Sequence, residues 1–179
     1  MYTEKELIKG CQKGKSEHQK ALYDQYAGKM FALCMRYARH KLEAEDILQE
    51  GFIKVFQYID GFRFEGSFEG WIRRIMVHTA IKYYHKAAHK NEQIGMEEMP
   101  EQSVAPDIHG TLNAEELMEL IKKLPEGYKM VFNLYALEGY KHKEIADMLD
   151  IGESTSRSQL VKARKLLQQM IEQLYTVTL

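Results

Sequence analysis

Cysteine is nearly absent: Cys11 and Cys34 are the only two among 179 residues. Two isolated thiols build neither a disulfide framework nor a paired metal knuckle. Long apolar runs are missing as well. The longest, Met30-Phe31-Ala32-Leu33-Cys34-Met35, falls far short of the ~18 residues that a membrane span needs. The opening Met1-Tyr2-Thr3-Glu4-Lys5-Glu6 contains acids and leads into no apolar core segment, so no secretory signal is expected. A cytoplasmic chain without membrane insertion is the expectation. Alternating runs of β-branched residues are lacking too, so no sheet is expected. What is present, 45% apolar and 11% aromatic residues, suffices for real cores. The expected fold is all-α, two small helical domains joined by a flexible acidic linker.

The net charge of −1 conceals an asymmetry. Residues 1–90 carry 16 Lys and Arg against 11 Asp and Glu, residues 91–126 carry 2 against 9, and residues 127–179 carry 7 against 6. Two basic-leaning blocks therefore flank an acidic stretch. Proline is scarce, yet two of the three, Pro100 and Pro106, fall in Asn91–Leu112 beside Gly95, Gly110, Glu97, Glu98 and Glu101. That segment reads as a linker between a domain at 1–90 and one at 113–179. Its acids serve solubility, or they cover basic surface until nucleic acid displaces them.

Helical periodicity fills the rest. Leu22, Tyr26, Leu33 and Tyr37 share one face, widened by Phe31 and Cys34, and Ile47, Leu48, Phe52, Val55 and Ile59 repeat the pattern. A third helix is expected from about Ser67 to Ala88. Beyond the linker, helices are expected near Asn113–Leu124, after Pro125, at Lys141–Leu149 and at Ser154–Tyr175. Asn113 followed by Glu116 is a capping-box signal, and Pro125 opens a helix well.

Two candidate chemistries fail on spacing. Gly10-Cys11-Gln12-Lys13-Gly14-Lys15-Ser16 resembles a phosphate-binding loop but has three residues between its glycines instead of four, and a helical Glu6-Leu7-Ile8 precedes it where a strand is required. A helix end with Gly14 at C′ and Ser16 as the next N-cap explains it better. His78, His85 and His89 lie in one helical stretch, but no Glu stands three residues before any His and no HExxH occurs. The cluster Glu43, Glu45, Asp46 and Glu50 has no histidine partner. Neither a metal nor a cofactor is expected, and no enzyme activity.

The informative stretches are two. Trp71–Lys90 holds Arg73, Arg74, Lys82, Lys86 and Lys90 with no acid, interleaved with Trp71, Tyr83 and Tyr84, and follows Gly61-Phe62-Arg63-Phe64-Glu65-Gly66-Ser67-Phe68. Positive charge tracks a phosphate backbone while aromatic faces stack on unpaired bases. Trp71, Ile75 and Ile81 equally suit a core with the charges on a solvated face, and both readings hold if one face packs while the other binds. In Tyr140–Leu167, a short helix, the turn Asp150-Ile151-Gly152-Glu153 and a second helix opening at Ser154 or Thr155 have helix-turn-helix geometry, with Ala146 at the close approach and Ile145, Leu149, Ile151 and Leu160 as shared core. Ser154, Thr155, Ser156, Arg157, Ser158 and Gln159 suit base edges and phosphates, and Lys143, Lys162, Arg164 and Lys165 extend the positive side. A plain helical hairpin is the alternative.

Three segments, taken together, resemble the extracytoplasmic-function sigma factors, a small two-domain branch of the sigma-70-like superfamily. Ala44-Glu45-Asp46-Ile47-Leu48-Gln49-Glu50-Gly51-Phe52-Ile53-Lys54-Val55-Phe56 is similar to the family's core-polymerase-binding helix. Phe62 to Phe68 leading into Trp71-Ile72-Arg73-Arg74-Ile75 is similar to its promoter-melting segment. Leu124-Pro125, Glu138-Gly139-Tyr140, Glu144-Ile145-Ala146 and Lys162-Ala163-Arg164-Lys165-Leu166-Leu167 match its second domain.

The resemblance implies a sigma factor that directs initiation with core RNA polymerase and promoter DNA as partners, and an anti-sigma factor as a possible third. Glu45, Asp46, Gln49, Glu50, Ile53 and Phe56 would dock on the largest-subunit clamp helices, and the polymerase flap is a further contact that the resemblance implies. Arg63, Phe64, Phe68, Trp71, Arg74, His78, Lys82, Tyr83 and Lys86 would bind the minus-ten strand. The Ser154 helix would enter the minus-thirty-five major groove. The chain departs from the family at His78, where Asn is usual, at Ser156, where Val or Ile is common, and at Gln159, where Arg is common, which implies altered promoter preference. The runner-up is a stand-alone helix-turn-helix regulator, which leaves Trp71–Lys90 unexplained. An enzyme with a helical metal or nucleotide site, or a helical adaptor without DNA, are readings of other classes.

Overall fold

The structure, a computed structural model, describes residues 2–94 and 113–176. Among the described residues all regular structure is helical. The chain divides into two compact units, Met1–Ala87 and Ala88–Leu179.

The first unit holds α1 (Glu4–Gln12), α2 (Ser16–Tyr37), α3 (Lys41–Tyr58), a 3₁₀ turn (Ile59–Gly61) and α4 (Phe68–Ile94). The sequence stripes are its core: Leu22, Met30, Leu33 and Cys34 of α2 and Ile47, Phe52 and Val55 of α3 are buried, with Ile72 and Met76 of α4. Burial pushes the Cys34 thiol up to about 12, so it is an inert packing group. Gly51 allows α3 and α4 to meet, since a Cβ there would stand 2.2 Å from Met76 Sδ. Gly14 closes α1 in the left-handed region at φ 69, as the C′ expectation requires. The expected N-cap is displaced: Lys15 caps α2, and Ser16 is already helical. α4 runs six residues past the expected end at Ala88, four of them inside the segment read as linker. Residues 95–112 of that linker lie outside the described residues.

The second unit holds α5 (Ala114–Lys122), α6 (Glu126–Phe132), a π turn (Asn133–Leu137), α7 (His142–Leu149) and α8 (Glu153–Thr176). Asn113 and Glu116 form the expected capping box on α5, and Pro125 caps α6. Leu120, Ile121 and Leu124 pack on Ala163 and Leu167 of α8. Asp150 turns left-handed at φ 55 to end α7, and Ile145, Ala146, Leu149 and Leu160 bury the seam between α7 and α8.

Candidate nucleic-acid interface

In the first unit α3 and α4 turn different faces outward. On α3, Asp46 and Gln49 are exposed, and Ile53 is 65% exposed one turn on. Glu45 and Phe56 are half-buried beside this row. Leu42, 70% exposed one turn before Asp46, extends it and was missed in the sequence because a single leucine at a helix start carries no periodic signal. Two bare apolar side chains in line with polar ones suit a protein partner.

Glu50 behaves differently. Its Oε1 accepts from Lys54 Nζ at 3.1 Å and Lys82 Nζ at 3.0 Å. The Lys82 hydrogen bond, first of all, holds its carboxyl below the usual range. Lys54 Nζ also donates to the buried Thr79 Oγ1 at 3.1 Å. Burial raises the Tyr83 hydroxyl, with the charge of Glu50 adding to it.

On α4, Trp71, Arg74, His78, Lys82 and Lys86 follow one another at three- and four-residue steps along one face. Arg74, His78, Lys82 and Lys86 are exposed. Partial burial of its ring, then Arg74 and Lys54, hold His78 below the ordinary imidazole range. The neutral form therefore dominates at pH 7. Ahead of α4, Ser67 Oγ accepts from the Gly70 amide at 3.2 Å, and an aromatic loop leads in. Phe62 packs edge-on against Phe64 at 5.3 Å and Phe68 at 4.9 Å, and Phe68 stacks on Trp71 at 5.6 Å. Arg63 and Phe64 are exposed, Phe64 with a left-handed φ of 59, a costly backbone for a residue with a side chain. Phe68 corrects the expectation: at 1% exposure it is a core ring supporting Trp71, with no face left for a base.

On α8, Ser154, Thr155, Arg157, Ser158, Lys162, Arg164 and Lys165 are exposed, as is Lys143 on α7. Val161 is exposed in the same surface; as a lone valine in a polar run it gave no sequence signal. Gln159 is half-buried, its amide near Gly127. Arg157 pairs with Glu153, and the Arg164 guanidinium lies 5.7 Å from the Tyr135 ring centre. Ser156 is a second correction. It is 0% exposed, and its hydroxyl shares a 2.9 Å hydrogen bond with His142 Nδ1, so it ties α8 to α7 and points away from any groove. The His142 ring stacks on Tyr135 at 4.5 Å. Burial, then Arg157, lowers its pKa. The helix also starts one residue before Ser154, at Glu153.

Two family models match these two units. Residues 22–90 match Sigma-70 region 2, and residues 114–167 match Sigma-70, region 4. The ECF RNA polymerase sigma-E factor of Haemophilus influenzae is 29% identical over 96% of this chain and 97% of its own length. Its namesake in Escherichia coli K12 is 29% identical over 96% of each chain. The chain belongs to the extracytoplasmic-function sigma factors. It acts as an RNA polymerase sigma factor in transcription initiation. Solved sigma factors share the fold: RpoE of Bartonella quintana, co-crystallised with the anti-sigma factor NepR, superposes with a TM-score of 0.53 at 16% identity, covering 86% of this chain and 96% of that one. CnrH, solved with the cytosolic domain of CnrY, gives 0.50 at 16% identity over 93% and 95%.

Within this sigma factor the region 2 match spans the outward row of α3 and the basic face of α4, and the region 4 match spans the helix-turn-helix. No group of three or more potential metal ligands gathers among the described residues. None of the described helices is long and apolar enough to cross a membrane.

Proposed function

We propose a division of labour among the surfaces of this sigma factor. The α3 row of Glu45, Asp46, Gln49, Ile53 and Phe56, lengthened by Leu42, docks core polymerase. Arg63, Phe64, Trp71, Arg74, His78, Lys82, Tyr83 and Lys86 bind the minus-ten strand. The exposed face of α8 reads the minus-thirty-five duplex. The observation carrying this reading is the outward face of α4, where exposed Arg74, Lys82 and Lys86 are interspersed with the rings of Trp71 and His78 and which an exposed Phe64 precedes.

The physical sequence follows from these groups. Lysines and arginines displace counterions from phosphates and supply salt-sensitive affinity. Extracting a base from the stack costs a few kcal/mol, and stacking on an aromatic face returns about 1–3 kcal/mol per base. Exposed Phe64 and half-buried Trp71 are the rings placed to do so. On α8, Ser154, Ser158 and Lys165 offer donors, while Val161 offers the apolar surface that suits a thymine methyl. No step requires bond chemistry from the factor itself, so it works without catalysis or cofactor of its own, in the cytoplasm beside the polymerase. An anti-sigma protein is a candidate further partner, since the RpoE and CnrH structures are complexes with NepR and CnrY.

Run-off transcription with purified core polymerase on a genomic fragment library tests the reading. Discrete start sites dependent on the factor support it. Duplex binding with no transcript at any fragment makes the chain a lone DNA-binding regulator instead.

A further inference from the structure

α1 lies outside the segment that matches region 2, which begins at residue 22, yet its last side chain reaches the aromatic loop. Gln12 Nε2 donates to the Ile59 carbonyl at 3.0 Å and to the Phe62 carbonyl at 3.4 Å. These carbonyls bracket the 3₁₀ turn, and Ile59 O also accepts from the Phe62 amide at 3.1 Å. One amide group thus spans the point where the chain leaves α3 and enters the loop.

The anchor is firm. Leu7, Ile8 and Cys11 bury the inner face of α1, Thr3 and Glu6 close its start as a capping box, and Tyr26 of α2 donates to Glu4. Gly10 lies so close to the His18 ring that a Cβ would come within 2.0 Å of it, so the missing side chain lets α1 pack tightly on α2. The loop, by contrast, holds conformations that side chains disfavour: Phe64 at φ 59 and Gly66 at φ 85. A non-glycine residue stays in such a region only where its surroundings hold it there. Phe62, whose carbonyl Gln12 engages, is also the ring at the centre of the loop cluster, touching Phe64, Phe68 and Trp71.

We infer that Gln12 is a positioning residue for promoter opening: it tethers the Phe62 end of the loop to α1 and so presents Phe64 and Trp71 in the arrangement that receives an extruded base. It touches no DNA. The inference rests on the assignment of this loop to the minus-ten strand, and its test separates the two.

Trp71 is the single tryptophan and its ring lies 5.6 Å from that of Phe62, so its fluorescence reports on the start of α4 against which the loop packs. Gln12→Met keeps the length and removes the donor, Gln12→Glu puts a carboxylate against two carbonyl oxygens, and Gln12→Lys keeps a donor within reach. The full-length variants are compared by acrylamide quenching of Trp71, by core-polymerase pull-down, and by permanganate footprinting on a promoter recovered in the run-off screen. The expected result is raised quenching and an about five- to tenfold loss of open complex for the Met and Glu variants, the factor that one or two ordinary hydrogen bonds represent. Polymerase binding stays at the wild-type level, and the Lys variant recovers both readouts. Should Gln12→Met fail to fold, the contrast between Lys and Glu still decides. Wild-type quenching in the Met and Glu variants overturns the tether. Raised quenching with full wild-type opening overturns the role in promoter opening and places the error in the loop's assignment to DNA.

Discussion

Glu50 and Lys82 meet at 3.0 Å between α3 and α4, so a residue expected to face polymerase holds one expected to face promoter DNA. The same carboxylate takes Lys54 at 3.1 Å. The helix proposed to dock polymerase and the face proposed to bind DNA are thus joined through one charge, and any change at Glu50 alters the freedom of Lys82.

Glu50→Gln should release Lys82 to phosphate. Single-strand affinity should rise, with a salt dependence steeper by up to about 0.7 in log–log slope, the contribution of one further phosphate contact. The loss in stability should be about 0.5–1 kcal/mol, as for a partly exposed ion pair. Because the folded pKa of Glu50 is depressed, its stabilising effect is present above the unfolded value of ~4.3 and is lost as pH falls through the depressed one. Acid melts of the variant should lack that component. An unchanged salt slope would show that Lys82 does not reach DNA even when free.

Asp46 and Gln49 are exposed on α3 and have no role in its core. Asp46→Arg combined with Gln49→Ala should leave the helical spectrum and melting temperature intact and weaken core-polymerase binding by about 1–3 kcal/mol, the scale of a few interface side chains. Pull-down by the folded double variant at the wild-type level would remove this face from the docking surface.

The helices were legible because their buried stripes recur at helical spacing: Leu22, Tyr26, Leu33 and Tyr37 are all buried, as are Ile47, Leu48, Phe52, Val55 and Ile59. Caps with a sequence signature, Asn113 with Glu116 and Gly14, were legible for the same local reason. Contacts across sequence distance were not. Nothing local marks Gln12 as a partner of residues 47 and 50 positions on, or Glu50 as a partner of Lys82. Composition also misleads inside a functional run: Ser156 and Phe68 have the right chemistry for DNA, but helix rotation and the loop's path turn both inward. The end of α4 went unread because Asn91 to Ile94 carries no apolar period and no stop signal before Gly95.

The burial of Ser156 separates structure from specificity on α8. Ser156→Ala leaves His142 Nδ1 without its partner and should cost about 1 kcal/mol, with the upstream base preference unchanged. Gln159→Ala should alter preference at one or two upstream positions at about 1–3 kcal/mol, whereas Lys165→Ala should weaken all sequences alike and lower the salt slope. Sequence selection with each variant reads the difference. A shifted preference for Ser156→Ala would mean that its hydroxyl reaches the groove after all.

His78 occupies the outward face of α4 between Arg74 and Lys82. Its lowered pKa means that the unfolded chain binds a proton more readily, so its effect on folding is unfavourable at low pH and disappears as pH rises past ~6.5. His142 is shifted in the same direction. Thermal stability should therefore fall between about pH 7 and pH 5, and His78→Asn should remove its share of that slope. At neutral pH the uncharged ring can donate and accept at once, which suits an exposed base edge better than a phosphate. His78→Asn, which keeps both abilities, should retain promoter opening and shift the tolerated base at one minus-ten position. His78→Ala should lose opening more than closed-complex binding, as read by permanganate footprinting beside gel-shift affinity. If His78→Ala opens a promoter as fully as the wild type does, base capture rests on Trp71 and Phe64 alone, and His78 is a surface residue whose only measurable effect is the pH slope.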